Sequence, residues 1–236
     1  GYYEPILVLL PDWDKIGQIQ LHKTKMRHIF GVEPAGLWLT ERVWEPSLPK
    51  VLKEAGIKFL IVDDEHFKIA GRDPEELHGY YLTEEGANEV AIFAGSKFLR
   101  YSMPFKPVED TINYMRRKLE EGKLSITFGD DLEKFGFWPH TYEWVYEEKW
   151  LYKFFKALME NKDWLKTVHF NYLIENYPPT DRIYLPCASY SEMMKWSDNM
   201  FRNFLVKYPE SNHLQKRMFY LSTRLKGCNE GDEEFQ

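Results

Sequence analysis

The order of short apolar segments, acidic residues and amphipathic helices constrains the fold of this chain more than any other feature. Residues 35–39 are apolar and lead to Glu41, and residues 57–62 are apolar and lead to Asp63 and Asp64. Strands that alternate with helices are typical of βαβ units and a mainly parallel sheet. The sequence therefore predicts an α/β fold, and a closed barrel and a doubly wound sheet both fit this pattern.

Hydrophobic periodicity predicts the individual elements. The predicted strands cover residues 35–39, 57–62, 90–93, 124–128 and 182–185, and the predicted helices cover about 12–29, 47–55, 108–121 and 142–161. Ser47 is a candidate N-cap of the second helix. Since no repeat or linker interrupts the pattern, we expect one domain over residues 1–226, followed by an acidic tail over residues 227–236.

Charge and composition narrow the function classes. The 236 residues carry 31 Lys and Arg against 37 Asp and Glu, a net charge of −6. This balance argues against nucleic-acid binding, because phosphate contacts need a basic surface. No apolar run approaches the roughly 20 residues that span a bilayer, no secretory signal is visible, and two cysteines build no disulfide framework. We therefore expect a cytoplasmic protein without nucleic-acid or membrane partners, and the oligomeric state is open.

Acidic residues follow three predicted strands, at the end where parallel α/β folds carry their reactive groups. They are Glu41, the pair Asp63 and Asp64, and the pair Asp130 and Asp131. A single acid in this position is often only a helix cap or a solvated turn, but three in succession favour catalysis. Two carboxylates about 5–5.5 Å apart support retaining glycoside hydrolysis, one as nucleophile and the other as general acid.

Aromatic residues accompany these acids. The aromatic content is 17%, and flat apolar rings suit the C–H faces of sugars. Trp44 and Trp138 lie beside acids on predicted loops, whereas Trp144 and Trp150 lie on the long predicted helix, where a core position is the simpler interpretation. The sequence therefore favours a carbohydrate site with aromatic platforms.

Other kinds of site have less support. The chain contains no glycine-rich phosphate loop and no G-x-S-x-G nucleophile elbow, so we expect no cofactor. Residues 63–66 (Asp-Asp-Glu-His) are the one candidate for a divalent cation, although a solvated turn explains Glu65 and His66 equally well.

Two segments resemble signature sequences of the family 57 glycoside hydrolases. Residues 38–44 (Trp-Leu-Thr-Glu-Arg-Val-Trp) resemble the third signature segment, and residues 130–138 (Asp-Asp-Leu-Glu-Lys-Phe-Gly-Phe-Trp) resemble the fourth. Residues 1–5 are similar to the second segment. Further likenesses lie at residues 62–64, 136–146, 184–190 and 207–212. The resemblance is strongest to members that are 4-α-glucanotransferases or α-amylases.

This resemblance implies an incomplete (β/α)7 barrel and a retaining double displacement on α-1,4-glucans or maltooligosaccharides. Glu41 takes the position of the nucleophile and Asp131 that of the general acid/base. The candidate substrate-binding residues are Glu4, Trp38, Arg42, Trp44, Asp64 and Trp138. Arg42 is a candidate orienting partner for a carboxylate through its bidentate fork, and a surface ion pair is the alternative. Whether water or a second glucan is the acceptor is left open.

The sequence also departs from the family pattern. The His-Gln-Pro segment of the family would precede Gly1 and the fifth signature segment would follow the chain, so we expect a partial barrel within a longer protein. Leu132 stands where the family usually has glycine. If that position needs a positive φ, leucine strains the loop by about 1 kcal/mol or more.

Two alternatives follow from these departures and from residues 63–66. The first is a catalytically incomplete barrel without activity of its own. The second, less favoured, is a metal-dependent carbohydrate deacetylase.

Overall fold

A computed structural model describes residues 1–228, which form an α/β structure. The α-helices are α1 (Asp12–Phe30), α2 (Leu48–Glu54), α3 (Asp64–Ile69), α4 (Lys97–Ser102), α5 (Val108–Glu120), α6 (Trp150–Glu160), α7 (Phe170–Asn176), α8 (Ser191–Trp196), α9 (Asn203–Lys207) and α10 (Pro209–Leu225). The strands are β1 (Gly36–Trp38), β2 (Phe59–Asp63), β3 (Tyr81–Glu85), β4 (Asn88–Gly95) and β5 (Asp181–Arg182). Of the predicted acidic tail, residues 229–236 lie outside the described residues.

The five strands form one sheet in the order β1-β2-β4-β3-β5, which confirms the predicted α/β class. β3 and β5 pair in parallel, with Tyr81 opposite Asp181. The strand predicted over residues 124–128 is wrong as an extended element, because its ladder pairing is a single parallel bridge between Thr127 and Gly95. β3 was not predicted from the sequence.

Some of the predicted helices form as predicted and others do not. α5 matches the prediction for residues 108–121, and its last turn carries Arg117 and Lys118, which complement the helix dipole. The long helix predicted over residues 142–161 is instead a π-helical segment (Glu143–Glu147) followed by α6. Lys149 separates them with a left-handed φ of 61°, a change of direction that side-chain periodicity does not report. Within residues 1–228, no helix is long and apolar enough to cross a membrane.

The chain divides into two compact units, and each is described by itself. Unit 1 consists of Gly1–Leu60, Thr83–Val90 and Tyr184–Gln236. Its buried hydrophobic residues include several on α2 and in the segment between β1 and α2, namely Leu39, Val43, Trp44, Leu48, Val51 and Leu52. Gly36 permits the close packing of β1, because a Cβ at this position would lie 2.2 Å from the ring of Phe59.

Unit 2 consists of Ile61–Leu82 and Ala91–Ile183. Its buried hydrophobic cluster joins α4, α5 and α6 through Leu99, Met103, Val108, Ile112, Tyr114, Trp150 and Phe154. The rings of Trp150 and Phe154 stack at 5.2 Å, and Trp150 Nε1 donates to the carbonyl oxygen of Lys106 at 2.7 Å. The predicted core position of Trp150 is therefore confirmed, and Trp144 packs partly buried against the same cluster.

Candidate active site

Glu41 lies in a tight turn directly after β1. Two residues of the 3₁₀ turn Thr40–Arg42 have positive φ values, 51° for Glu41 and 48° for Arg42. A left-handed backbone costs a residue with a side chain about 1–3 kcal/mol and persists only where the surrounding structure fixes it. Such strain at an acidic residue that follows a strand is typical of a functional site.

Two side chains from a distant segment hold this turn. An antiparallel bridge between Trp44 and Ala188 brings the next two residues, Ser189 and Tyr190, alongside Glu41. Ser189 Oγ donates to the Glu41 carbonyl oxygen at 2.5 Å, and the Tyr190 hydroxyl donates to Glu41 Oε2 at 2.6 Å. Charge-assisted O–H···O⁻ bonds are short and strong. Tyr190 therefore holds the Glu41 carboxylate in one orientation.

Arg42 is enclosed by aromatic rings. Its guanidinium carbon lies 5.2 Å from the ring centroid of Trp38 and 4.2 Å from that of Tyr190, distances at which cation–π attraction acts. Arg42 is only 4% exposed, so its side chain is buried, and its role as an orienting partner for a carboxylate stays a prediction. Trp38 is 36% exposed, so the tryptophan keeps part of its surface open to solvent while it contacts the buried cation.

Trp44 is a core residue. Its side chain is 1% exposed, and its Nε1 donates to the carbonyl oxygen of Leu185 at 3.1 Å. The predicted contact between Trp44 and substrate is therefore corrected, because this ring presents no accessible face to a sugar. The burial of Trp44 could not be predicted from its position on a loop beside acidic residues.

Glu4, in contrast, is exposed. It has a positive φ of 50°, and its backbone N–H donates to the carbonyl oxygen of Gly1 at 3.2 Å. Its role in substrate binding stays a prediction.

The second candidate carboxylate, Asp131, belongs to unit 2. It precedes the 3₁₀ helix Leu132–Phe135, and its backbone N–H donates to Oδ1 of Asp130 at 2.9 Å. The Asp130 side chain is 1% exposed and also contacts Arg100, with Nε 3.4 Å from Oδ1, and the ammonium group of Lys134. Asp131 is partly accessible. The two neighbouring acids therefore have different surroundings, and the more accessible one is the better placed to exchange a proton with a substrate.

Leu132 adopts no left-handed backbone, so the expected strain from replacing the usual glycine is absent. Its side chain is 83% exposed. The residue with a positive φ in this turn is instead Gly136, which has a φ of 134° and ends the 3₁₀ helix. A Cβ on Gly136 would lie 2.8 Å from Cε2 of Tyr146.

Asp64 is 9% exposed and starts α3, next to Asp63. Its Oδ2 accepts the backbone N–H of Lys97 at 2.8 Å, which fixes the start of α4. Burial raises the pKa of Asp64 to about 7, and the neighbouring charge of Asp63 adds to this effect. Together with His78 and Tyr114, Asp64 lines a cavity of about 20 Å³. These contacts are structural, and a substrate-binding role for Asp64 stays a prediction.

The cation site considered at residues 63–66 is not assembled. His66 is buried, and its Nδ1 lies 3.0 Å from the carbonyl oxygen of Asp63. In the part of the chain that the structure describes, no group of three or more His, Cys, Asp or Glu side chains is placed to hold a metal ion.

Trp138 has an accessible ring, as its predicted role requires. It is 38% exposed and lies nearly parallel to Phe105, with ring centroids 6.3 Å apart and an interplanar angle of 22°. Phe105 is 47% exposed and was not predicted from the sequence. The two rings form an exposed aromatic surface in the same unit as Asp131.

Sequence reasoning also missed Tyr190 and Ser189. Residues 184–190 are similar to the family in sequence, but this similarity indicates no role for either side chain. The contact between Tyr190 and Glu41 joins residues 149 positions apart in the chain, a separation for which no spacing rule exists. The resemblance of residues 184–190 was the only available signal.

Known proteins match nearly the whole chain. The family model described as Glycosyl hydrolase family 57 matches residues 1–186, and the one described as Alpha-amylase/4-alpha-glucanotransferase, middle domain, matches residues 199–236. Alpha-amylase 1 of Dictyoglomus thermophilum is 42% identical over 94% of this chain, and the 4-alpha-glucanotransferase of Thermococcus litoralis is 38% identical over 96%. The chain spans 37% and 39% of the lengths of these two relatives.

Solved structures also match nearly the whole chain. The crystal structure of the 4-alpha-glucanotransferase from Thermococcus litoralis matches with a TM-score of 0.87 at 37% identity, covering 96% of this chain and 40% of that one. A GH57-type branching enzyme from Pyrococcus horikoshii matches with a TM-score of 0.69 at 18% identity over 96% of this chain and 53% of that one, and shares the fold. These neighbours have a (β/α)7 barrel, in agreement with the predicted fold. With a family match over residues 1–186 and relatives above 30% identity, the chain belongs to glycosyl hydrolase family 57.

Proposed function

We propose that the protein cleaves α-1,4-glucans by a retaining double displacement, with Glu41 as nucleophile and Asp131 as general acid/base. In the first step the Glu41 carboxylate attacks the anomeric carbon and Asp131 protonates the departing glycosidic oxygen. In the second step Asp131 accepts a proton from the incoming hydroxyl, which displaces Glu41 from the glycosyl-enzyme. The acceptor, water or another glucan, decides between hydrolysis and transfer.

The observation that carries this proposal is the anchoring of Glu41. An attacking carboxylate has to be held in one orientation, and Glu41 combines a left-handed turn with a phenolic donor on Oε2 and a hydroxyl donor on its carbonyl oxygen. The two named relatives above, an alpha-amylase and a 4-alpha-glucanotransferase, support α-glucan as the substrate. Exposed faces of Trp38 and Trp138 are available for stacking on sugar rings.

The test is Glu41→Gln in the protein at its full natural length. We expect turnover of maltooligosaccharides to fall by at least about a thousandfold, because an amide cannot form the glycosyl ester. Binding, followed by calorimetry, is expected to survive. Glu54→Gln is the matched control, since Glu54 is exposed on α2. Unchanged turnover in the Glu41 variant would remove Glu41 from the mechanism.

The stereochemical outcome tests the second carboxylate. Retention requires the first product to be the α-anomer, which proton NMR detects before mutarotation. A β-anomer as first product would show inversion, for which carboxylates about 6.5–9.5 Å apart leave room for a water molecule.

One observation supports the alternative that this chain is an inert, catalytically incomplete barrel. The chain spans 37–40% of its relatives' lengths. Incubation of the 236-residue chain with maltooligosaccharides, followed by chromatography, separates the two proposals. New chain lengths or new reducing ends would exclude the inert alternative for this chain.

A further inference from the structure

Asp130 is the most enclosed acid of the signature segment. Its side chain is 1% exposed, and both of its oxygens are engaged. Oδ1 accepts the backbone N–H of Asp131 at 2.9 Å and lies 3.4 Å from Nε of Arg100, while Oδ2 contacts the ammonium group of Lys134. A buried carboxylate is tolerated only where cations and donors compensate it. The enclosure excludes Asp130 from direct contact with a sugar.

The cations around Asp130 are themselves fixed. The side chain of Lys134 is 3% exposed and its ammonium group also donates to the carbonyl oxygen of Arg100. Arg100 Nη1 pairs with Oδ2 of Asp63 at 3.2 Å, and Asp63 ends β2. Burial lowers the pKa of Lys134, and Asp130 opposes this effect. Two carboxylates and two cations thus form one buried ion cluster that joins β2, α4 and the 3₁₀ helix after Asp131.

A hydrogen bond from the Asp131 N–H to Oδ1 of Asp130 connects the cluster to the backbone of the candidate acid. Lys134 follows Asp130 by four residues, so the turn that carries Asp131 is closed by this ion pair on one side and by that hydrogen bond on the other. Because the backbone is held in this way, the position of the Asp131 Cα atom, and so the origin of its side chain, is restricted.

We propose that Asp130 is a positioning residue, whose Oδ1 holds the backbone of Asp131 so that its carboxyl meets the glycosidic oxygen. This inference rests on the proposed function of Asp131. It requires Asp130 to act as an acceptor, not as a proton donor, and it requires Lys134 and Arg100 to fix that acceptor.

The test compares Asp130→Asn with Asp130→Ala in the protein at its full natural length. Both variants remove the charge, and only asparagine keeps an oxygen for the Asp131 N–H. We expect Asp130→Ala to lower kcat on maltooligosaccharides at least about tenfold below Asp130→Asn, because a misplacement of about 1 Å costs up to about a hundredfold. If the unpaired charge of Lys134 unfolds both Asp130 variants, kcat is compared instead between Lys134→Met and its control Lys156→Met. Lys156 lies exposed on α6.

A second substrate separates a misplaced acid from general damage. 2,4-Dinitrophenyl α-maltoside has a leaving group that departs without protonation. A loss of acid catalysis therefore leaves kcat/KM for this substrate, which reports formation of the glycosyl-enzyme and not its breakdown, within about threefold. We expect this selective loss for Asp130→Ala, and for Asp131→Ala as the reference. Equal losses on both substrates, or equal kcat values for Asp130→Asn and Asp130→Ala, would overturn the positioning role.

The failure of the proposed function gives a different result. If Asp131→Ala shows no selective loss on maltooligosaccharides, then Asp131 is not the acid, and the proposed function fails. If Asp131→Ala shows the loss and Asp130→Ala does not, the proposed function stands and only the role of Asp130 is wrong.

Discussion

At the scale of single residues, Glu41 shows how a candidate nucleophile depends on a segment far along the chain. Its carboxylate and its carbonyl oxygen are held by Tyr190 and Ser189, which follow the bridge between Trp44 and Ala188. The backbone of Trp44 carries the bridge that delivers these donors, and its side chain is buried. A residue expected to contact substrate thus supports the site through the backbone.

The hydroxyl of Tyr190 provides a prediction at this scale. Tyr190→Phe removes the donor to Glu41 Oε2 and keeps the ring over Arg42. A hydrogen bond to a charged group contributes about 1.5–3 kcal/mol, so we expect kcat/KM on maltooligosaccharides to fall about 10- to 100-fold, measured at a temperature at which the variant is fully folded. Tyr184→Phe is the control, because its hydroxyl bonds Glu84 and its ring is exposed. Equal losses in both variants would contradict this role.

At the scale of elements, the turn after Asp131 is ended by one glycine. Gly136 combines a φ of 134° with a close approach to Tyr146 in the π-helical segment. Gly136→Ala is expected to lower the free energy of unfolding by about 1–3 kcal/mol, measured by urea denaturation. Gly122→Ala is the matched control: its φ is 77°, but a Cβ there meets no atom within 4 Å. If both variants lose the same stability, the contact with Tyr146 contributes nothing.

Elements also show what the sequence predicted and what it did not. α5 was predicted because one apolar stripe runs through residues 108–121. The break at Lys149 and the reduced strand at residues 124–128 were missed, since both depend on backbone geometry and pairing partners that apolar patterns do not encode. The candidate acids Glu41 and Asp131 follow from their positions after predicted strands, and their separate roles follow from the resemblance to family 57. Their surroundings, Tyr190 and the Asp130 cluster, depend on tertiary contacts and were not predicted.

At the scale of the whole molecule, Asp64 links stability to pH. Because its pKa is raised to about 7 in the folded state from 3.8, the folded chain keeps a proton that the unfolded chain releases. Stability therefore falls as pH rises from about 4 to about 7. Asp64→Asn avoids this loss, and we expect it to stabilise the protein by at least about 1 kcal/mol more at pH 8 than at pH 5.

Urea denaturation at the two pH values measures this difference, with Asp110→Asn as the control on the exposed start of α5. The control is expected to change stability equally at both pH values. An Asp64 variant that behaves like the control would show that Asp64 does not hold its proton near neutrality.

The division of the chain into two discontinuous units has a consequence for its synthesis. Unit 2 ends at Ile183, whereas unit 1 begins at Gly1 and needs the segment from Tyr184 onward. On the ribosome, the unit that starts first is therefore completed last. Glu41 emerges early but waits for Ser189 and Tyr190, nearly 150 residues later, before its turn is held. A translational pause once Ile183 has emerged from the ribosome would give the nascent chain time to close unit 2 while the candidate nucleophile Glu41 is still unsupported.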